Sequence, residues 1–318
     1  MKPIIVYPGS KSDFYPTIRE RIPKDIRVYC EPFIGGGSTT LNLLSDMEYA
    51  IEKVVIGDKS PRVAAFWSSV IKDPIGLSNC YDELFKPFND VISRLGTRRE
   101  AFLEMEWFGK LKEDAPETKT DRYKFIKEVR EELYRLHADL LKRGADDGMD
   151  LSLYEGAKMA LMHNISYSGV AFAGGLSYQR VIKTHLGAKK DPYIRASKLL
   201  NAANAEVVCG DFSDTIQKVL SEDEAFVYLD PPYVFQAEKL YENGDFEHDR
   251  LAEYLRNLPD NIKFLLSYDD SAYVRSLYRG DPKIHISEYK LPRGYVAGSA
   301  GKDTSQDGEE LFISNYKY

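Results

Sequence analysis

The N-terminal part of the chain alternates short apolar runs with helical patterns. Two apolar runs, residues 26–33 (IRVYCEPF) and 53–58 (KVVIGD), predict buried strands. Ser38 is placed to cap a helix that begins at Thr39. Ser60, followed by proline, predicts a second helix that continues to residue 72.

The middle and C-terminal parts differ in pattern. From about residue 74 to residue 200, charged helical stretches such as 122–143 replace the strand signals. Strand patterns then resume at residues 205–211, 225–230, 263–269, 283–289 and 310–316, with helical patterns at 246–257 and 271–278 between them. This alternation predicts an α/β fold with a mostly parallel sheet and helices on both faces. We expect residues 1–74 and 201–318 to form that domain, and residues 75–200 to be a largely helical insertion.

Composition narrows the class of protein. The 318 residues are 43% hydrophobic, which is enough for a buried core. The three cysteines are far apart and form no C-x-x-C pair, so we expect neither a disulfide framework nor a zinc site. The N-terminus lacks a signal-peptide pattern, and no window approaches the roughly 18–20 apolar residues of a membrane helix. These features predict a soluble cytoplasmic protein.

Charge is distributed unevenly along the chain. The formal net charge of −7 disfavours nucleic acid, because phosphate binding requires Lys and Arg. Residues 180–198, however, contain six basic side chains and one acid, Asp191. The basic residues are Arg180, Lys183, Lys189, Lys190, Arg195 and Lys198. This segment is either a solvated basic loop or a local binding surface for phosphates.

The strongest candidate site is Asp230-Pro231-Pro232-Tyr233, directly after an apolar strand pattern. Ligands of open α/β sheets bind at the carboxyl ends of strands. The two prolines restrict the backbone and remove two N–H donors. A carboxylate and a free carbonyl are therefore held side by side as acceptors, next to an aromatic ring. This arrangement suits an amino group on a flat ring, although an ordinary strand-ending turn is the alternative.

A second candidate is the glycine loop, residues 31–37 (EPFIGGG), between a strand and a helix start. Glycines allow close backbone approach, and a helix N-terminus favours anions. Thr40 occupies the place of the third glycine of a dinucleotide fingerprint. A smaller adenosyl ligand is therefore expected rather than a dinucleotide.

Two acids follow later strands. Asp58 lies about 20 residues beyond the glycines, where an acid in nucleoside-binding folds accepts hydrogen bonds from ribose. Asp211 is followed by Phe212, so this pair could bind an adenine amino group and ring. A simple helix cap is the equal alternative for Asp211.

On these residues the chain resembles the Dam-type, α-class DNA adenine methyltransferases. Residues 7–11 (YPGSK) are similar to the family's W-A-G-G-K segment, with Tyr7 in place of Trp and Lys11 retained. Residues 31–37 are similar to its E-P-F-x-G-x-G loop. Asp58 matches its ribose-binding acid and residues 230–233 match its catalytic motif. The resemblance implies that the cofactor site comprises Tyr7, Lys11, Glu31, Phe33, Gly35, Gly37, Asp58, Asp211 and Phe212.

Other segments extend the resemblance. Ser166, Tyr167 and Ser168 are similar to the family's N-R-T-S-F-S-G segment, with His163 and Asn164 where the family has Asn and Arg. Residues 310–316 are similar to its final strand, and the glycine-rich segment before it, expected to be a mobile loop, retains Arg293. The DNA-binding residues implied by the resemblance and the local charge are Ser166, Tyr167, Ser168, Arg180, Lys183, Lys189, Lys190 and Arg293.

The resemblance implies a Rossmann-like fold and methyl transfer from S-adenosylmethionine to the amino nitrogen of adenine in double-stranded DNA. In that case residues 75–200 recognise the DNA, the target base is flipped out, and transfer is direct. We expect no metal, since the histidines show no ligand spacing, and a monomer or weak dimer. The same chemistry on RNA or protein and a decayed, non-catalytic DNA-binding homologue are the alternatives, and a nicotinamide oxidoreductase is a more distant one.

Overall fold

The computed structural model describes residues 3–96, 99, 102–103, 120–146, 148–167, 175–185, 190–234, 246–290 and 309–318. The seven strands of these residues form one sheet in the order β3-β2-β1-β4-β5-β7-β6. Their bounds are β1 Val28–Glu31, β2 Lys53–Asp58, β3 Glu206–Cys209, β4 Ala225–Leu229, β5 Lys263–Asp269, β6 His285–Lys290 and β7 Glu309–Ser314. Strand β7 is antiparallel to β5 and β6, and the other paired strands are parallel. The predicted mostly parallel α/β fold is confirmed.

The central strands β1, β2, β4 and β5 are buried because their residues are apolar on both sides. All five residues of β4 and the five interior residues of β5 are buried. Residues on one side, such as Tyr29 and Phe226, contact one core cluster. Their alternating neighbours, such as Cys30 and Val227, contact a second cluster on the opposite face. Continuous apolar runs of this kind are typical of parallel strands covered by helices on both faces.

The described helices cover both faces of the sheet. They are α1 Tyr15–Arg19, α2 Ser38–Leu44, α3 Pro61–Lys72, α4 Pro74–Ser93, α5 Asp121–Lys142, α6 Leu151–Ile165, α7 Tyr178–His185, α8 Lys190–Ala202, α9 Phe212–Gln217, α10 His248–Arg256 and α11 Ala272–Tyr278. Strands β2 and β5 and helix α3 have the predicted bounds, whereas the other predicted elements differ by a few residues at their ends. Among the described helices, none is long and apolar enough to cross a lipid bilayer.

The start of α2 differs from the prediction. The helix begins at Ser38 rather than Thr39, and its N-cap is Gly37, which has a φ of 65°. A Cβ on Gly37 would lie 2.2 Å from the ring of Trp67. The close approach of Trp67 and the left-handed backbone therefore require glycine at the cap. Ser38 instead accepts a hydrogen bond on its Oγ from the backbone N–H of Lys11, at 3.0 Å.

The insertion packs on the sheet domain through α6. Most of this helix is buried, including every residue from Gly156 to Ile165. Its side chains belong to the same core cluster as residues of β1, β2 and β4. Helix α6 passes so close to α3 that a Cβ on Gly156 would lie 2.8 Å from the Cα of Phe66. The insertion and the sheet domain thus share one continuous core; their division at residues 74 and 200 stays a prediction.

The packing of α6 on α3 generates a stability prediction. Gly156→Val should lower the free energy of unfolding by about 1–3 kcal/mol, because overpacking forces two backbones apart. Chemical denaturation of both proteins measures this loss. Gly144→Val is the matched control, since a Cβ at Gly144 has no neighbour within 4 Å. Equal stabilities of the two variants would contradict the close contact.

Candidate active site

Strands β1, β2, β3 and β4 end at one pocket on the carboxyl edge of the sheet. The pocket has a volume of about 1240 Å³, counting the space at its open mouth. It is lined by the N-terminal segment 7–11, residues 31–39, residues 58–59, 210–212 and 230–233, and the start of α10. All thirteen residues predicted to be catalytic or cofactor-binding line this pocket. Their convergence follows from the topology, since parallel strands carry their ends to one edge of the sheet.

The glycine loop is held from three sides. The indole of Trp67 donates a hydrogen bond to the carbonyl of Gly35 at 2.9 Å. The N–H of Gly35 donates to Oδ2 of Asp58 at 3.1 Å. Tyr7 packs over the loop so closely that a Cβ on Gly36 would lie 2.7 Å from the Cβ of Tyr7. The conformation of the loop is therefore fixed by protein contacts.

Asp58 has a structural task besides the one predicted. Its Oδ1 accepts a hydrogen bond from the N–H of Ser60 at 2.9 Å, and its Oδ2 accepts the one from Gly35. Burial raises the pKa of Asp58 to about 6. A carboxylate has about four lone-pair sites, so Asp58 can still accept hydrogen bonds from hydroxyl groups in the pocket.

Glu31 lies beneath the loop and is 3% exposed. Its Oε2 accepts hydrogen bonds from the hydroxyl of Tyr29 at 2.9 Å, the N–H of Thr40 at 3.1 Å and the hydroxyl of Thr40. Burial raises the pKa of Glu31 to about 8, although the hydrogen bonds from Thr40 and Tyr29 oppose the shift. Thr40, which breaks the dinucleotide fingerprint, thus anchors the first turn of α2 to β1.

Asp211 serves as a helix cap and as an ion-pair partner. It caps α9 in a capping box with Asp214. Its two oxygens accept hydrogen bonds from Arg250 at 2.6 and 2.9 Å. Partial burial would raise the pKa of Asp211, but hydrogen bonds from Arg250 and Ser213 lower it to about 2. The cap interpretation of Asp211 is therefore confirmed, and contact with a ligand stays a prediction.

An aromatic cluster forms the wall next to Asp211. The ring of Phe33 lies 6.0 Å from that of Phe212 and 5.5 Å from that of Phe246. The guanidinium of Arg250 lies 4.7 Å from the centre of the Phe212 ring. Sequence reasoning missed Phe246 and Arg250, because they reach the pocket from a segment with no strand end or motif of its own.

Two residues of the motif 230–233, Asp230 and Tyr233, contact a buried lysine. Lys11 is 4% exposed, and its Nζ lies 3.3 Å from Oδ1 of Asp230 and 2.9 Å from Oε1 of Glu310. The hydroxyl of Tyr233 donates to the same oxygen of Glu310 at 2.5 Å and is also bonded to Lys11. Ser267 of β5 donates to Oδ1 of Asp230 at 3.3 Å. Sequence reasoning missed Glu310 and Ser267 as site residues.

The charges of this cluster shift one another's pKa values. Burial raises the pKa of Asp230 to about 6; the Lys11 ammonium opposes the shift, and the Glu310 carboxylate adds to it. Burial by itself would lower the pKa of Lys11, but the carboxylates of Asp230 and Glu310 raise it above its ordinary value. Near neutral pH the cluster therefore contains a protonated lysine and an ionised Asp230.

A rigid carboxylate after β4, a glycine loop after β1 and an acid after β2 thus face one pocket. A profile of the D12 class N6 adenine-specific DNA methyltransferase family matches residues 7–291. The chain belongs to this family. It is an adenine-specific DNA methyltransferase, and its sheet has the Rossmann-like arrangement expected from the sequence.

Relatives match over nearly the whole chain. The type II methyltransferase M.MjaIII of Methanocaldococcus jannaschii is 26% identical over 338 aligned positions, which cover 99% of each chain. The type II methyltransferase M1.LlaDCHI of Lactococcus lactis subsp. cremoris is 24% identical, and the alignment covers 99% of this chain and 96% of that one. A solved rRNA methyltransferase, AviRa of Streptomyces viridochromogenes, is 13% identical with a TM-score of 0.37, covering 99% of this chain and 90% of that one.

The end of helix α6 explains one departure from the family pattern in this methyltransferase. His163 stacks on Tyr7 with ring centres 4.8 Å apart. Oδ1 of Asn164 accepts a hydrogen bond from the N–H of Val6 at 3.3 Å, and its Nδ2 donates to the hydroxyl of Tyr81 at 3.1 Å. These two residues therefore hold the N-terminal segment over the glycine loop.

The predicted DNA-binding residues lie in different environments. Ser166 is fully buried at the end of α6, so the structure does not place its side chain on a surface. Tyr167 is 49% exposed, Lys183 is exposed on α7 and Arg180 is half-buried. Lys190 is the first residue of α8. Ser168, Lys189 and Arg293 lie outside the described residues. The DNA-binding role of all eight stays a prediction.

The raised pKa of Asp230 predicts an acid limit on activity. The carboxylate loses its charge as the pH falls through about 6, so single-turnover methylation at saturating methyl donor should fall about tenfold per pH unit below that value. A rapid-quench pH series measures the rate. Binding of the methyl donor should change less over the same range. If binding of the methyl donor is lost over the same pH range, the acid limit is due to Asp58, whose pKa is also about 6.

Proposed function

We propose that this methyltransferase takes its methyl group from S-adenosylmethionine and transfers it to an adenine turned out of double-stranded DNA. The observation that carries the proposal is the position of Asp230 at the end of β4, in the same pocket as the glycine loop and Asp58. A carboxylate for the target amino group and a nucleoside-type site for the donor are thus side by side.

The pocket residues suit an adenosyl sulfonium. Phe33 and Phe246 offer apolar rings for a flat base, and Asp58 offers acceptors for ribose hydroxyls. Lys11 is the cation of a cluster that also holds two carboxylates, so the cluster favours a positively charged donor. The residues that would hold the donor are Tyr7, Lys11, Glu31, Phe33, Gly35, Gly37, Asp58, Asp211 and Phe212. Of these, Lys11, Glu31 and Phe212 are buried, with 4%, 3% and 3% of their surface exposed.

The sulfonium of S-adenosylmethionine supplies a methyl group with a good leaving group, so the nucleophile is the difficulty. The amino lone pair of adenine is delocalised into the ring. The Asp230 carboxylate and the Pro231 carbonyl accept the two amino hydrogens, which favours a pyramidal nitrogen with a directed lone pair. The second proline, Pro232, keeps this backbone rigid. Catalysis is then positioning and electrostatics, without a covalent enzyme intermediate, and the nitrogen that gains the methyl group loses one of its two hydrogens as a proton.

The target base must leave the duplex before its amino group reaches Asp230. Extrusion costs a few kcal/mol, and stacking on an aromatic side chain returns about 1–3 kcal/mol. Tyr233 is the proposed stacking platform. It lines the pocket directly after the prolines, and its hydroxyl is bonded to Lys11 and Glu310, so its ring is held in place.

The insertion, residues 75–200, is the proposed DNA-recognition part. Tyr167 and Lys183 are exposed there, and α8 begins in the basic segment 180–198. Tyr167 follows the end of α6, which also holds Tyr7 over the glycine loop. We propose that Ser168, Arg180, Lys189, Lys190 and Arg293 act with them on DNA, and that the buried Ser166 contributes by positioning its neighbour Tyr167. Because the relatives M.MjaIII and M1.LlaDCHI are type II methyltransferases, we propose modification of a specific site in a restriction-modification system.

The role of Asp230 has a direct test. Asp230→Ala should abolish the formation of N6-methyladenine while leaving binding of S-adenosylmethionine partly intact, because the acceptor of the amino group is lost. Tritiated methyl transfer to duplex DNA, RNA and protein in parallel, followed by nucleoside analysis, measures activity and substrate class. Asp260→Ala, at a surface acid outside the pocket, is the control. Near-normal turnover of the Asp230 variant, or labelling of RNA or protein alone, would contradict the proposal.

The basic segment generates a second prediction. Replacing Lys189 and Lys190 by Glu should weaken DNA binding and flatten its dependence on salt, because fewer phosphate counterions are released. Binding titrations at several salt concentrations measure the slope. The control replaces Lys86 and Lys283, which are exposed and lie outside this segment. A slope equal to that of the wild type would contradict the prediction and indicate that DNA binds to another surface.

A further inference from the structure

Glu310 is a buried carboxylate to which neither sequence reasoning nor the family resemblance assigned a role. It is 3% exposed at the beginning of β7, in an otherwise apolar stretch that continues through Leu311, Phe312 and Ile313. An ionised carboxylate is costly to bury, and the sheet ladder does not need it, since an apolar side chain at this position would serve the core. Its position therefore calls for an explanation in the site.

Within the described part of the chain, the carboxylate of Glu310 bonds to Lys11 and Tyr233. Its Oε1 lies 2.9 Å from Nζ of Lys11 and accepts the hydroxyl hydrogen bond of Tyr233 at 2.5 Å. Lys11 is closer to Glu310 than to Asp230, from which it is 3.3 Å away. The lysine is thus shared between two carboxylates, and its ammonium lies nearer to Glu310 than to Asp230.

The sharing changes what Asp230 can offer to a substrate. If a buried ammonium has a single carboxylate partner, the charge of that carboxylate is neutralised and one of its lone pairs is used by the ammonium. With Glu310 present, the cluster has two negative groups and one positive group, and Asp230 keeps both charge and acceptor capacity. Positive charge moves onto the amino nitrogen during methyl transfer, so a net negative charge beside it lowers the barrier.

We propose that Glu310 is a positioning residue of the methyl-transfer reaction, which draws Lys11 away from Asp230 and fixes the hydroxyl of Tyr233. Asp230 thereby keeps acceptor capacity for the amino group of the target adenine. This inference rests on the proposed function, because it assigns Glu310 a task only through the acceptor Asp230 and the stacking residue Tyr233.

The test compares Glu310→Gln with Glu310→Asp in the full-length enzyme. Glutamine keeps the size of the side chain and an acceptor oxygen for Tyr233 but removes the charge. The single-turnover rate of the glutamine variant at saturating S-adenosylmethionine and duplex DNA should fall about tenfold to a hundredfold. Its dissociation constant for S-adenosylmethionine should change less than threefold, and the aspartate variant should recover part of the rate. Glu288→Gln, at an exposed carboxylate on the neighbouring strand β6, is the matched control and should behave as the wild type.

Two further measurements separate positioning from a merely structural role. Thermal unfolding identifies any loss of stability, and the rate is measured at a temperature where each variant is folded. Tyr233→Phe removes the hydroxyl that binds Glu310 but leaves every charge in place, so it should lose less activity than Glu310→Gln. If the glutamine variant is unstable, Glu310→Asp takes its place in this comparison, because the shorter side chain withdraws the carboxylate from Lys11 and Tyr233.

The outcomes distinguish this inference from the proposed function. If the wild-type enzyme forms no N6-methyladenine in DNA, the proposed function itself is contradicted. An active wild type with a Glu310→Gln variant of equal single-turnover rate would overturn only the role of Glu310. A larger loss in Tyr233→Phe than in Glu310→Gln would also overturn it, because the charge would then be irrelevant. A rate loss in the glutamine variant with donor binding intact and partial recovery by aspartate would support it.

Discussion

The ammonium group of Lys11 joins three parts of the chain that are far apart in sequence. The ammonium contacts Asp230 at the end of β4 and Glu310 at the start of β7. The backbone N–H of Lys11 donates a hydrogen bond to Ser38 at the start of α2. A buried ammonium is stable only where carboxylates compensate the lost hydration. The N-terminal segment, the glycine loop and two strand ends must therefore be brought together before the lysine can be buried. The geometry of the pocket therefore depends on this interaction.

A second constraint links the cofactor loop to the insertion. Tyr7 covers Gly35 and Gly36, and the end of α6 holds Tyr7 and Val6 through His163 and Asn164. Helix α6 in turn packs on α3, whose Trp67 donates to the carbonyl of Gly35. The part of the chain proposed to recognise DNA therefore contacts the segment that shapes the donor site. Movement of α6 would therefore displace the glycine loop through Tyr7.

The strand pattern and the pocket were largely predictable, for one reason. Apolar runs bounded by glycine, proline or acid mark buried parallel strands, and such strands carry the residues after them to one edge of the sheet. Asp58, Asp211 and Asp230 could be placed together on this basis alone. The cap of α2 was not predictable, because the choice of Gly37 over Ser38 depends on the ring of Trp67, which comes from another helix.

The residues that sequence reasoning missed all reach the site across the fold. Ser267 lies inside β5 and Arg250 lies on α10. Glu310 is the second residue of the antiparallel strand β7, in a segment noted for its strand pattern and its likeness to the family's final strand. The charge of Glu310 within an apolar strand was the one sequence signal of a role in the site, but it did not indicate which residues Glu310 contacts.

The sequence by itself determined the order of the elements, the family and the identity of the motif residues, since these follow from local pattern and spacing. Only the tertiary structure decided how the charges are paired. Pairing depends on distances of about 3 Å between side chains that are hundreds of positions apart, and these distances are set by packing rather than by any local pattern.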